Sequence, residues 1–206
     1  MLTLYYAPNT CARAVHIALE DAGAEFETRR IDFAKNEQRS SEYLKINPKG
    51  RVPALVCPRG ILTETPALLI YVAQTYPQAR LAPLDDAFAL AQMLSFAGYL
   101  ASTVHVAHAH RPRGSRWADA PAALADMKRK TPANMRDCFG LIERELFRGP
   151  WAMGDDYSVL DPYLFTLAGW LASHEVDIAE FPAVAGHFGR MRERPSVVRA
   201  LTRENA

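Results

Sequence analysis

The sequence predicts an α/β + all-α chain: a first part of order βαβαββα, followed by a part built only of helices. Two observations carry this reading. Up to about residue 80, short apolar runs of strand character alternate with short helical periods, and beyond it helical periods continue to the end with no strand pattern. Proline and glycine punctuation falls between these runs, where turns and helix starts need it. At 206 residues the chain can bury a substantial core as one domain or two small ones. We expect a domain over 1–80, a linker over 81–86 around Leu81-Ala82-Pro83-Leu84, and a helical domain over 87–206.

Strand one is Leu2 to Tyr6, followed by the loop Ala7-Pro8-Asn9-Thr10 and a helix whose apolar face is Val15, Ala18, Leu19 and Ala22, with Gly23 as its stop. Phe26 to Ile31 is a weaker strand, and so short a strand-helix-strand unit implies a right-handed parallel crossover. A short helix at Ser41 to Lys45 leads into the loop Asn47-Pro48-Lys49-Gly50. Val52 to Cys57 and Ile61 to Thr63, separated by Pro58-Arg59-Gly60, read as a hairpin. Pro66 opens the next helix, whose buried face is Leu68, Leu69, Val72 and Ala73. That order is the arrangement of a thioredoxin-like domain. Within it Pro53 is either a trans edge proline or a cis turn that frees neighbouring backbone groups to pair with an extended ligand, and the order favours the cis turn.

The helical part begins with a long pattern from Asp85 to about Ala109. Thr131-Pro132 reads as the start or the kink of another helix, along which Met135, Phe139, Ile142 and Leu146 recur. Ser158-Val159-Leu160-Asp161 is a capping box: the serine side chain accepts from the amide three residues on, and Asp161 reaches back to the Ser158 amide. Its helix sends Leu164, Leu167 and Leu171 into the core. Loss of Asp161 from such a cap costs about 1 kcal/mol or somewhat more.

Composition excludes several functions. With 24 basic and 23 acidic residues the net charge is +1, which offers no field for nucleic acid or an anionic membrane. Cys11, Cys57 and Cys138 cannot all pair within the chain and lack metal-ligand spacing, which fits a reducing cytoplasm. The most apolar later stretch, Tyr163 to Ala172, is about half of the ~20 residues that span a bilayer, and the chain opens on a strand rather than a signal segment. A soluble cytoplasmic protein is expected. Cys11 is the leading candidate for chemistry: one step into a helix, the unpaired amides and the macrodipole favour a thiolate, bringing a pKa of ~8.5 toward ~7.5 or lower. His105, His108 and His110 suggest a metal cluster, but one helix face holds a single pair of them and no carboxylate or cysteine completes it, so no metal is assigned. Arg111, Arg113 and Arg116 with Trp117 read as a solvated basic loop near a site entrance.

Five stretches in order resemble the cytosolic glutathione S-transferases, most closely the bacterial beta class. They are Leu4-Tyr5-Tyr6-Ala7-Pro8 leading to Cys11, Asn47 to Leu55, Leu62-Thr63-Glu64-Thr65-Pro66-Ala67, Asp161 to Phe165, and Met191-Arg192-Glu193-Arg194-Pro195. The resemblance implies a glutathione transferase that takes glutathione as co-substrate and transfers its sulfur to a small hydrophobic electrophile or a disulfide, acting as a homodimer. It implies Cys11 and His105 as catalytic residues and glutathione contacts from Lys35, Val52, Pro53, Glu64, Thr65 and Ser102. Tyr6 and Tyr99 are the expected apolar walls of the electrophile pocket, and Ser158 and Asp161 a folding element. With Cys11-Ala12-Arg13-Ala14 in place of a dithiol motif, any redox cycle is monothiol, with external glutathione as resolver. The chain departs from the class at Val106, where lysine is common, and at Gly98, where asparagine is common. Those departures keep open two alternatives: a catalytically weak transferase-like scaffold, and a glutathione-dependent isomerase, lyase or dehalogenase.

Overall fold

The computed structural model describes residues 1–205. Its sheet has the order β2-β1-β3-β4. Strand β1 (Leu2–Tyr6) runs parallel to β2 (Phe26–Arg30) and antiparallel to β3 (Ala54–Cys57), which pairs in turn with β4 (Gly60–Thr63). The parallel pair needs a crossover, which helix α1 (Ala12–Asp21) supplies, burying Ala14, Val15, Ala18 and Leu19. Gly23, at φ +64°, turns the chain in the left-handed region that a side chain resists. Strand β3 starts at Ala54, two residues later than expected, because Pro53 has no N–H for the ladder; the Val52–Pro53 peptide is cis.

Helix α2 (Ser41–Ile46) is capped by Ser40, whose Oγ accepts the Tyr43 amide at 3.1 Å. Helix α3 (Thr65–Thr75) buries Leu68, Leu69, Val72 and Ala73 against α1. Thr65 is its first helical residue, and Glu64 takes the cap position at φ +75°.

The second domain is helical, and its first helix runs without a break. Helix α4 (Ala87–Tyr99) passes through a π-helical turn at Leu100–Val104 into α5 (His105–Arg113), and a 3-10 turn extends it to Arg116. By length and composition this run, with mean hydropathy 1.4 over its most apolar window, is sufficient to cross a membrane; it replaces Tyr163 to Ala172 as the most apolar later stretch. Met93, Phe96, Leu100 and Val104 point from it into the protein core.

Helix α6 (Pro121–Leu141) takes Pro121 in its first turn, so Pro132 lies inside it and neither starts a helix nor stops one. The buried Thr131 hydroxyl donates to the Met127 carbonyl at 2.9 Å. Helices α7 (Leu160–Ala168), α8 (Pro182–Glu193) and α9 (Pro195–Asn205) complete the domain, and α7 and α9 pack on α1, joining helical to α/β domain.

Asp161, fully buried, does more than cap α7. Its carboxylate accepts from the Ser158 amide at 2.8 Å, as the capping box requires, and also from the Ala152 amide at 2.7 Å and from His187 Nε2 at 2.9 Å. The other half of the box differs from expectation: Ser158 Oγ accepts from Leu160 at 3.2 Å, because the Asp161 amide goes to the Ser158 carbonyl at 3.1 Å. Removing this carboxylate strands two buried amides and a buried imidazole, so Asp161→Ala should cost about 3–5 kcal/mol in urea unfolding, well above a lone cap. A loss near 1 kcal/mol would show that the network does not act as a unit.

His16 and His174 are buried, and burial holds each near pKa 4 against an ordinary 6.5. The unfolded chain therefore takes up these protons near pH 6.5 and the folded chain only near pH 4. Stability is then full above pH 6.5 and falls as pH drops toward 4. Thermal melts across that interval should show a steep decline, reduced in His16→Phe; a flat profile would contradict the assignment.

Candidate active site

A cavity of about 260 Å³ opens where the two domains meet. The α/β side contributes the loop Asn9–Cys11, the Val52–Pro53 segment and the start of α3 at Glu64 and Thr65; the helical side contributes α5 and Trp170.

Cys11 caps α1 and does not lie inside it, and its thiol donates to the Val52 carbonyl at 3.7 Å. Burial pushes the thiol above its ordinary 9.0, and the Thr65 hydroxyl and the Arg113 guanidinium pull it back only in part. The expected depression of this pKa is thus reversed, because desolvation outweighs the helix end. The segment before Val52 is held by two donors to one carbonyl: Asn47 Nδ2 at 2.6 Å and Tyr43 OH at 2.7 Å from the Arg51 oxygen. Asn47, itself buried, also accepts from the Lys49 amide at 3.2 Å and so shapes the loop leading to Pro53. Glu64 stands at the cavity edge with its carboxylate paired to Lys49, whose Nζ also donates to Thr63 Oγ1 at 2.8 Å.

On the facing wall His105 is half-buried and lowered to about 4, first by burial and then by Arg113, Arg51 and Arg116. It is a neutral imidazole at physiological pH, with one N–H to donate. Its ring meets Trp170 edge-on at 5.1 Å, and His108 stacks on the same indole at 4.1 Å. The indole N–H donates to the Asn9 carbonyl at 3.2 Å, linking this wall to the Cys11 loop. Among the described residues, no group of three His, Cys, Asp or Glu side chains is placed to hold a metal ion.

The cavity therefore brings together Cys11, Val52, Pro53, Glu64, Thr65 and His105. Four other expected contributors lie outside its lining. Lys35 is exposed, with its ammonium 3.6 Å from Asp32. The exposed Ser102 hydroxyl donates to the Gly98 carbonyl at 2.8 Å, Tyr99 directs its hydroxyl at the Cys138 carbonyl at 3.5 Å, and Tyr6 is buried with its hydroxyl 3.4 Å from the Arg203 carbonyl. Sequence reasoning missed His108, Trp170, Arg39 and Arg51 as lining residues, and placed Arg113 and Arg116 in a loop although they lie on α5 and its 3-10 extension. For His108, Arg113 and Arg116 the available signal was the run of aromatic and cationic residues over 108–117; Trp170, Arg39 and Arg51 come to the cavity from distant segments.

Residues 1–74 match the family model described as the glutathione S-transferase N-terminal domain. A glutathione transferase homologue from Sulfitobacter, solved with bound glutathione, is 47% identical, with 98% of each chain covered and a TM-score of 0.96. The beta class glutathione S-transferase of Sphingomonas chungbukensis is 33% identical, again with 98% of each chain covered, and has a TM-score of 0.86. The glutathione S-transferase GstA of Escherichia coli O157:H7 is 27% identical over 205 residues, 98% of each chain. With identity at that level sustained along both domains, and the cysteine, cis-proline and acidic helix start converging on one cavity, the chain belongs to the glutathione S-transferase family.

Proposed function

We propose that this protein binds glutathione in the cavity, stabilises its sulfur as a thiolate and transfers that sulfur to an electrophile. The observation that carries the reading is the meeting of Cys11, Val52, Glu64 and Thr65 on one side of the cavity with His105 on the other. Glutathione is an extended peptide with an amino-acid head, a thiol and a terminal carboxylate. The Val52 backbone pairs with its cysteinyl unit, Glu64 takes the α-amine, and Thr65 with the first amides of α3 takes the α-carboxylate. Arg39 and Arg51 take the glycine carboxylate in place of the exposed Lys35. On binding, the Glu64 carboxylate exchanges Lys49 for the ligand's ammonium.

In conjugation the bound thiol gives its proton to solvent. The sulfur then forms a bond to the electrophilic carbon as the leaving group departs with its electron pair. The neutral His105 donates to the sulfur, and the positive field of the cavity's guanidiniums favours its negative charge. In thiol exchange, Cys11 would attack a disulfide sulfur, expel one thiolate and be released by a second glutathione. Cys11 is held protonated by burial and donates to Val52, so conjugation leads and exchange follows. We assign 1–80 to glutathione, 87–206 to the acceptor wall and 81–86 to the join. We also infer a cytoplasmic homodimer, supported by three free cysteines and by exposed Ile61 and Leu62 on β4 and Phe88 and Leu94 on α4.

Calorimetric titration with reduced glutathione should show binding to wild type, weakened about tenfold in Thr65→Ala, the loss of one charge-assisted hydrogen bond. No binding to the folded wild type would overturn the assignment. Alkylation of Cys11 by iodoacetamide, followed peptide by peptide, should have its pH midpoint above the ordinary 9.0. A midpoint below that value would restore Cys11 as a ready nucleophile.

A further inference from the structure

We infer that the acceptor side of the cavity is a subsite for a carboxylate-bearing organic acid, with Arg113 and Arg116 as its anchors. This deepens the transferase reading and rests on it.

Arg113 and Arg116 lie three residues apart at the end of α5 and on its 3-10 extension, and both line the cavity. Neither has a carboxylate within ion-pair distance among the described residues, whereas Arg111 on the same helix is paired with Glu175 at 2.5 Å. Arg39 and Arg51 line the opposite side, also without an acidic partner among the described residues, and Glu64 is the one carboxylate among the described residues of the lining. Arg116 is exposed at the rim, and partial desolvation with the positive charge of Arg113, Arg51 and Arg39 lowers the pKa of its guanidinium, as expected for neighbouring cations without compensation.

Glutathione does not use up this charge. Its α-carboxylate goes to Thr65 and α3, its amine to Glu64 and its glycine carboxylate to the α/β-side arginines. The two guanidiniums on the helical wall are left facing the acceptor space. Val106 and Ala109 give the α5 wall apolar lining alongside His105 and His108, and Phe33 lies 5.9 Å from the Arg113 guanidinium. The exposed Trp117 closes the rim. A ligand that fits this order has an apolar or aromatic electrophilic end near the sulfur and a carboxylate at the far end. Bidentate guanidinium pairing with that carboxylate gives orientation as well as affinity. Val106 belongs to this design: a lysine there would place another cation beside the reacting carbon, while valine keeps that part of the wall apolar.

The test uses the full-length protein saturated with S-methylglutathione, titrated in a calorimeter with dinitrobenzoate and with its methyl ester, which has the same ring without the charge. The acid should bind at least about tenfold tighter than the ester, and the preference should shrink with added salt. In the double variant Arg113→Gln, Arg116→Gln the acid-to-ester ratio should fall to about one, while Arg51→Gln should weaken glutathione and keep the ratio. Equal affinities in wild type would overturn the subsite, and so would a double variant that loses glutathione binding with the ratio intact. Glutathione disulfide is titrated in parallel. If the disulfide shows the Arg113 and Arg116 dependence and dinitrobenzoate does not, the organic-acid assignment is wrong.

Turnover of chlorodinitrobenzoate against its methyl ester is the second arm. Carbon–sulfur bond formation with release of chloride should favour the acid by a similar ratio. Failure to turn over either compound while the binding preference persists would count against the transferase reading and leave the subsite standing.

Discussion

The site depends on one short loop being held from two directions. Asn9, in the left-handed region at φ +55°, gives its carbonyl to the Trp170 indole on the helical domain, and its amide lies 3.4 Å from the Glu204 carboxylate of α9. Glu204 is buried and also accepts from Arg13 at 2.7 Å, so the C-terminal helix grips the first turn of α1. Cys11 sits between these anchors. A loop tied only to its own strand would let the thiol drift relative to Val52 and His105, and small misplacements of reacting groups are costly. The packing of α7 and α9 on α1 is thus what sets the geometry of the cavity as well as joining the domains.

Electrostatics then divides the labour between two thiols. Cys11, buried and donating to Val52, stays protonated; the glutathione sulfur would lie in the open cavity, facing the His105 imidazole and within the positive field of the cavity's arginines. The same positive field that favours the thiolate also shapes the acceptor wall. Burial keeps His105 and His108 neutral, so the positive charge comes from arginines, which hold it at any physiological pH.

Much of the α/β domain was legible because its signals are local. Alternating apolar residues in Leu2–Tyr6, the turn residues before Gly60 and the first-turn proline of α3 each specify their element with little tertiary help. The reach of Asp161 to its own Ser158 amide was legible for the same reason, whereas its bonds to Ala152 and His187 come from distant segments. Of the misplaced site residues, Tyr99 and Ser102 share one cause. The π turn at Leu100–Val104 shifts the phase of the long helix, so Ser102 faces out while His105, Ala109 and Arg113 follow one another along the cavity wall. A 3.6-residue period carried through that turn mistakes which side chains meet the thiol. The pKa of Cys11 failed for another reason: a helix end is visible in sequence, and the burial that overrides it is not.

The central claim is that this cavity ionises glutathione and not its own cysteine. It is tested most directly by the ultraviolet absorbance of thiolate as pH is raised, comparing the protein alone, the protein with glutathione, and Cys11→Ala with glutathione. The account predicts a glutathione-dependent thiolate signal with a midpoint below the ~8.5 of a free thiol, retained in Cys11→Ala. A low-pH signal that needs Cys11 and not glutathione would contradict it.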